Sequence, residues 1–228
     1  MNRPTARNED APPLLDRTAR VGEVLVLLGP TGAGKARLLS RIAASDASAE
    51  NVVQDNLGPR PRVGRVGPEG LALPGSIYDN VALALRALPK APLDLVDRVE
   101  TALRQAALWD EVSNRLDEPA AQLSFGQRQR LSLARALALE PRVLLLEDAT
   151  NGCDLVTSQR VESSLRELSE RCIVVFATAD PLRARRLGDR VAFVHGDEIL
   201  ECSATEDFFT RPENSRTAEF LGGPRGVR

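Results

Sequence analysis

The stretch GEVLVLLGPTGAGKARLLSRIAA, residues 22–44, decides the fold. Its first part, Val24 to Leu28, is a compact run of Val and Leu closed by Gly29 and Pro30, which predicts a strand buried on both faces of a parallel sheet. From Lys35 to about Ala44, Leu38, Leu39 and Ile42 fall on one face of a predicted helix. Between strand and helix, Gly29-Pro30-Thr31-Gly32-Ala33-Gly34-Lys35 fills the first seven positions of the pattern G-x-x-x-x-G-K-[ST]. Glycines there let successive backbone N–H groups converge on phosphate oxygens, and the helix N-terminus adds a favourable dipole. Lys35 is the residue placed to reach the outer phosphates of a nucleotide. The competing reading is a plain glycine-rich turn with an exposed lysine; the strand before and the helix after weigh against it. The next position is Ala36, so the hydroxyl that coordinates Mg2+ in this pattern is absent.

Outward from this stretch the pattern alternates. Residues 45–75 carry Gly, Pro, Asp and Asn repeatedly, with one strand candidate at Arg62 to Val66. Ser76 and Asp79 stand as a capping box with Asp in the Glu place, opening a helix from Ile77 to Leu88, and a second helix spans Leu93 to Leu108. In LSFGQRQRLSLARALALEP, Ser124 and Gln127 have true capping-box spacing, so a helix begins there. A buried strand at Val143 to Leu146, a helix at Ser158 to Ser169, a strand at Cys172 to Ala177 and two strands around Gly196 complete an α/β pattern with a mainly parallel sheet.

Composition narrows the function. The chain has 228 residues, 43% hydrophobic and 27% charged, as a globular domain does. Its longest apolar runs are far short of the ~18–20 residues of a membrane span. The first fifteen residues lack the apolar core of a secretory signal, so a cytosolic location is expected. Three cysteines, Cys153, Cys172 and Cys202, have no CxxC spacing and suggest neither a disulfide framework nor a zinc site. A net charge of −2 gives no footprint for nucleic acid. The only lysines are Lys35 and Lys90 and the only histidine is His195, which reads as a surface residue at the Gly196 turn.

Taken together, the phosphate loop, LSFGQ and VLLLEDAT resemble, in order and spacing, the nucleotide-binding subunit of an ATP-binding cassette (ABC) transporter. The likeness is closer still to the ATP-binding subunit of phosphate importers, through SIYDNVAL at 76–83, AALWDEV at 106–112, LARALALEP at 133–141 and TEDFFTRPENSRTAEFLGG at 205–223. The resemblance implies a P-loop NTPase core (residues 21–75 and 140–204) with an inserted helical lobe at about 76–139. An N-terminal arm at 1–20 and a C-terminal helix and tail at 205–228 flank them. It implies ATP and Mg2+ as cofactors, with Gly29 to Ala36 forming the phosphate cradle. Ser124, Gly126 and Gln127 act as a signature that addresses the nucleotide of a second subunit, in a homodimer or heterodimer. Transmembrane permease subunits follow as partners, and with them a place on the inner face of the membrane.

Several positions depart from that family. Phe125 stands where glycine is usual. After the strand the family has Asp for the metal and then Glu for the attacking water; here the order is Glu147, at the metal position, then Asp148, at the base position. Each carboxylate is thus displaced by about one methylene, and a shift of about 1 Å can cost roughly 100-fold. The switch histidine is replaced by Ala179, and the coupling glutamine falls at Pro68. No aromatic for adenine stacking occurs in residues 1–20, and Asp154 stands at the place of the D-loop aspartate. The competing readings are that Glu147 and Asp148 merely end a strand, that Ser124 and Gln127 merely cap a helix, and that Asp154 does the same. Two functions remain: a transport ATPase subunit with slow hydrolysis, or a catalytically degenerate, non-hydrolysing regulatory partner of an active homologue. A P-loop kinase would leave LSFGQ and the C-terminal tail without a role.

Overall fold

Val24–Leu28 forms strand β1, buried along its whole length. Alternate side chains serve opposite layers: Leu25 and Leu27 meet Leu38, Leu39 and Ile42 of helix α1 (Lys35–Ser45), while Val24, Val26 and Leu28 join a larger core on the other face. The computed structural model describes residues 19–45, 52–55, 58–61, 63–88, 92–150 and 152–222. The arm expected at 1–20 lies, up to residue 18, outside the described residues, as do Lys90, Asn151 and the tail from 223.

The remaining elements follow in chain order. Strands β2 (Val52–Asp55) and β3 (Gly58–Pro61) pair with each other, and β4 (Val63–Val66) enters the main sheet. Helices α2 (Ile77–Arg86), α3 (Leu95–Gln105), α4 (Trp109–Val112) and α5 (Phe125–Leu137) come before β5 (Val143–Glu147). Then come α6 (Leu155–Ser169), β6 (Ile173–Thr178), α7 (Pro181–Leu187), β7 (Arg190–His195), β8 (Glu198–Ala204), α8 (Thr205–Thr210) and α9 (Ser215–Phe220).

The sheet runs β4-β5-β6-β1-β7-β8; every pairing from β4 through β7 is parallel and only β7–β8 is antiparallel. The chain leaves β1 for the β4 edge, returns to β6 on one side of β1 and crosses to β7 on the other. Connections leave in opposite directions there, which opens a crevice beyond the carboxyl end of β1, where ligands of open α/β sheets bind.

The helices between β4 and β5 bury Ile77, Val81, Leu85, Leu103 and Leu131 completely. Ser76 caps α2 by accepting from the Asp79 N–H at 3.0 Å, and its hydroxyl donates to the Asp79 carboxylate at 2.9 Å. Asn80, 1% exposed, accepts from the Leu73 N–H and donates to the Leu73 and Ser76 carbonyls, pinning the segment that leads into α2.

Three expectations change. Residues 45–75 contain the β2–β3 hairpin as well as β4; Pro59 and Pro61 mask it in the sequence, and a two-stranded edge tolerates their missing N–H groups. The helix expected from Leu93 starts at Leu95, leaving Leu93 fully exposed, and ends before Ala107, whose φ of 53° closes it. The helix expected from Ser158 starts three residues earlier, because Asp154 accepts from the Thr157 N–H and fixes its first turn at Leu155.

Candidate nucleotide site

The phosphate loop joins β1 to α1 with glycine at each place where a side chain is excluded. A Cβ on Gly29 would collide with the Val194 carbonyl oxygen, and Gly32 and Gly34 take φ of +82° and +101°, a region L side chains rarely adopt. The β7–β8 turn braces the loop from outside: the Asp197 N–H donates to the Ala33 carbonyl at 3.0 Å, and Asp197 pairs with Arg37 on α1. No carboxylate sits in the first turn of α1, so its N-terminal dipole is left for an external anion.

Lys35 opens α1, 8% exposed, and folds back so that Nζ donates to the Gly29 carbonyl at 2.7 Å and the Pro30 carbonyl at 2.9 Å. Burial lowers its pKa, and the nearby Asp148 and Glu147 carboxylates work in the opposite direction. Lys35 therefore caps the curled loop, held by the Gly29 and Pro30 carbonyls.

Those carboxylates occupy different settings. Glu147 is the last residue of β5 and Asp148 follows with φ of 44°, its N–H donating to the Ala177 carbonyl at 3.0 Å. Strand alternation sends Glu147 to the α1 face, together with Val143 and Leu145. Arg65, in register with Leu145 on the neighbouring strand, faces the same way. Its Nη2 lies 3.9 Å from Glu147 Oε2, and its Nη1 donates to Ser40 Oγ at 2.9 Å. Ser40 in turn donates to the Ala36 carbonyl at 2.8 Å, so this hydroxyl is spent on the backbone one turn along the helix from residue 36. Pro68 offers only its backbone carbonyl, which accepts from the fully buried Gln129. Ala179 is half-buried, and the preceding Thr178 accepts from the Asp180 N–H. His195 is exposed, its ring 6.4 Å from that of Phe193.

At the signature, the capping box forms as its spacing predicts: Ser124 Oγ accepts from the Gln127 N–H at 3.2 Å, and Gln127 Oε1 accepts from the Ser124 N–H at 2.9 Å. Gly126 lies against the loop after β5, where a Cβ would come within 2.9 Å of the Gly152 carbonyl oxygen. Phe125 is 40% exposed and its ring lies over Gly152, so any side chain at 152 would strike it. Within one chain, then, Ser124, Gly126 and Gln127 gather at the loop after β5 and at α4; their partners are not in the phosphate loop.

Nothing in AALWDEV at 106–112 marks Glu111 by spacing or composition. The structure makes it the anchor of the signature helix: Glu111 accepts from Gln127 Nε2 at 2.9 Å and from Arg130 Nη2 at 3.1 Å, while Arg130 also donates to the Ala107 carbonyl at 2.6 Å. Hydrogen bonds from Arg130 hold the Glu111 carboxyl below the ordinary range. Asp154 caps α6 through Thr157, and this also keeps its carboxyl low.

A mainly parallel sheet with a phosphate loop at the end of β1 defines the P-loop nucleotide-binding class. Solved structures share the fold. A dimeric ATP-binding cassette in a post-hydrolysis state, bound to ADP and Pi, superposes with a TM-score of 0.66 at 25% identity, over 82% of this chain and 87% of that one. A bacterial Atm1-family ABC exporter with ATP bound gives 0.71 at 20% identity, over 89% of this chain and 36% of that one. The ABC transporter family profile matches residues 15–151, and the chain belongs to that family. Similar proteins include the phosphate import ATP-binding protein PstB of Thermotoga maritima, 38% identical over 90% of this chain and 88% of that protein. The proteins of the same name from Thermococcus kodakarensis, 38% identical over 89% of this chain, and Aeropyrum pernix, 39% over 90%, match over 88% of their own lengths. No helix among the described residues is long and apolar enough to cross a membrane.

Proposed function

We propose that this chain is the ATP-binding subunit of an ABC importer of the phosphate type, working as a dimer on permease subunits at the inner face of the membrane. The observation that carries this reading is the built phosphate cradle: a buried Lys35 folded over a loop whose glycines hold their backbone where no side chain fits. The free backbone N–H groups of the loop, which exclude Pro30 and the Ala33 N–H bonded to the Pro30 carbonyl, and the Lys35 ammonium hold the phosphates of ATP. The helix opened by Ser124, Gly126 and Gln127 presents its N-terminus to the nucleotide of the second subunit. In this reading residues 76–139 form a helical lobe inserted into a core of 21–75 and 140–204, and the relatives' printed names supply the substrate class.

The residues present do not fit a magnesium ion as they fit the nucleotide. Ala36 has no hydroxyl, Pro68 has no side-chain oxygen, and Glu147 already faces a guanidinium. Hydrolysis is accordingly slow, with Asp148 a displaced base after Glu147. These same observations favour a second reading, a non-hydrolysing cassette that completes the site of an active homologue through Ser124, Gly126 and Gln127 of its signature.

An ATP titration of the purified chain beside Lys35→Ala tests the shared basis of both. Saturable binding lost in the variant supports the cradle, whereas no binding at millimolar ATP would sink the transport-motor reading. Mixed dimers separate the two: if Ser124→Arg leaves the partner's ATPase unchanged, the second reading falls.

A further inference from the structure

The cluster at the ends of β4 and β5 contains a cation that the phosphate loop does not account for. Arg65 and Glu147 share the α1 face because their strands alternate in the same phase, and α1 brings Ser40 to them from above. The result is a continuous path from the carboxylate through the Arg65 guanidinium and the Ser40 hydroxyl to the carbonyl of Ala36, the residue where a metal-binding hydroxyl is missing. Lys35 is within electrostatic range of both Glu147 and Asp148. Among the described residues, Arg65 and Lys35 are thus the cations that face the Glu147 and Asp148 carboxylates at the end of β5.

We infer that Arg65 takes over the charge-compensating role of a divalent metal, so that this chain binds its nucleoside triphosphate in the metal-free form, with Lys35 and Arg65 as its two cations. This rests on the reading of residues 29–36 as a nucleotide cradle. The chemistry favours it on three counts. A guanidinium keeps its charge at every working pH and matches phosphate oxygens with paired N–H donors. Arg65 Nη2 lies 3.9 Å from Glu147 Oε2, beyond hydrogen-bond distance, so among the described residues this pair does not tie up its protons against a phosphate. The Arg65 side chain is 41% exposed, so it can turn toward a ligand without opening the core. A divalent ion arriving beside Glu147 meets this fixed positive charge and finds no hydroxyl at residue 36.

The test is calorimetric titration of the full chain with ATP in EDTA and again in excess Mg2+, for the wild type, Arg65→Met, Arg65→Lys and Lys35→Ala. The expected result is a wild-type dissociation constant in EDTA within about threefold of that in Mg2+. Arg65→Met weakens binding in EDTA at least tenfold and weakens it less in Mg2+, while Arg65→Lys, which keeps the charge but loses the paired donors, falls between wild type and Arg65→Met. Arg65→Lys also guards against misfolding, since both substitutions alter the same position on an edge strand. The inference is overturned if wild-type binding depends on Lys35 yet is tenfold or more tighter in Mg2+, or if Arg65→Met leaves binding in EDTA within twofold. Should Lys35→Ala bind like wild type in both buffers, or wild type bind in neither, the cradle reading itself has failed and the inference goes with it.

Discussion

Alanine at Gly34 separates two costs that the phosphate loop imposes on its sequence. Gly34 has φ of +101°, and a Cβ there would lie 2.7 Å from the Asp197 Cα as well as striking the Asp197 carboxylate. Gly32, at +82°, and Gly22, at +94°, have similar backbone but no atom within 4 Å of an added Cβ. An L side chain in this region costs about 1–3 kcal/mol. Forcing a methyl against packed backbone adds about 1–3 kcal/mol more, at Gly34 alone. At about 2–4 °C per kcal/mol for a chain of this size, an excess of ~2 kcal/mol puts the melting temperature of Gly34→Ala about 4–8 °C below those of Gly22→Ala and Gly32→Ala. Nucleotide binding divides the three differently. Gly22→Ala, outside the loop, keeps wild-type ATP affinity; Gly32→Ala and Gly34→Ala lose at least about tenfold, because turning the peptide planes redirects the N–H groups that meet phosphate. Thermal unfolding and ATP titration of the same three proteins give both readouts. A Gly34→Ala protein that melts with Gly22→Ala refutes the steric argument, and one that binds ATP like wild type refutes the cradle.

Other outcomes follow from the same geometry. Glu111→Gln removes the carboxylate facing Arg130, which is 5% exposed; a buried pair broken on one side costs about 3–5 kcal/mol, and with Glu111 39% exposed the expected loss is about 1–2 kcal/mol. Because the folded carboxyl sits below its ordinary value of 4.5, that contribution is complete above pH 4.5 and fades as the pH falls through the folded value; a wild type and Glu111→Gln that lose stability in parallel with acid would contradict this. Burial pushes the Cys172 thiol up to about 11, so at pH 8 iodoacetamide labels it at least about tenfold more slowly than the half-buried Cys202, and equal rates by mass spectrometry would be the contrary result. Combining Ala36→Ser, Glu147→Asp, Asp148→Glu and Ala179→His raises ATP turnover at least about tenfold; no gain in a phosphate-release assay transfers the obstacle to Pro68 or Phe125.

What the sequence disclosed is what short-range physics writes into it. The β1 strand, the turn glycines and α1 lie within residues 22–45, and each follows from periodicity or from a backbone that excludes side chains. The capping box of Ser124 and Gln127 was legible for the same reason, its donors and acceptors being three residues apart. Arg65 was not. Its place depends on β4 pairing with β5 in one register and on α1 bringing Ser40 to it. Glu111 and Asp197 escaped notice likewise, since the groups they hold, Arg130 and the Ala33 carbonyl, reach them only through the tertiary fold. The β2–β3 hairpin was hidden by prolines, a signal against strands that holds for central positions but not for edges.

The pattern of what is kept and what is changed has a structural cause. The cradle is made of backbone: its donors are peptide N–H groups, and their direction is set by glycine conformations, by the β7 carbonyl at Val194 and by the Asp197 brace. Altering it disturbs the fold at the centre of the sheet. The groups that serve metal and water in the family are side chains, one at position 36 in the first turn of α1 and the rest at or just beyond the carboxyl ends of β4, β5 and β6, at positions 68, 147, 148 and 179. Pro68, Glu147, Asp148 and Ala179 sit where strands give way to loops, and replacing such a residue leaves the core strands untouched. Fold and phosphate cradle are therefore bound together in this chain, whereas side chains at strand ends can be exchanged without disturbing either, and the Arg65→Met titration in EDTA and Mg2+ tests whether such an exchange has altered the metal chemistry.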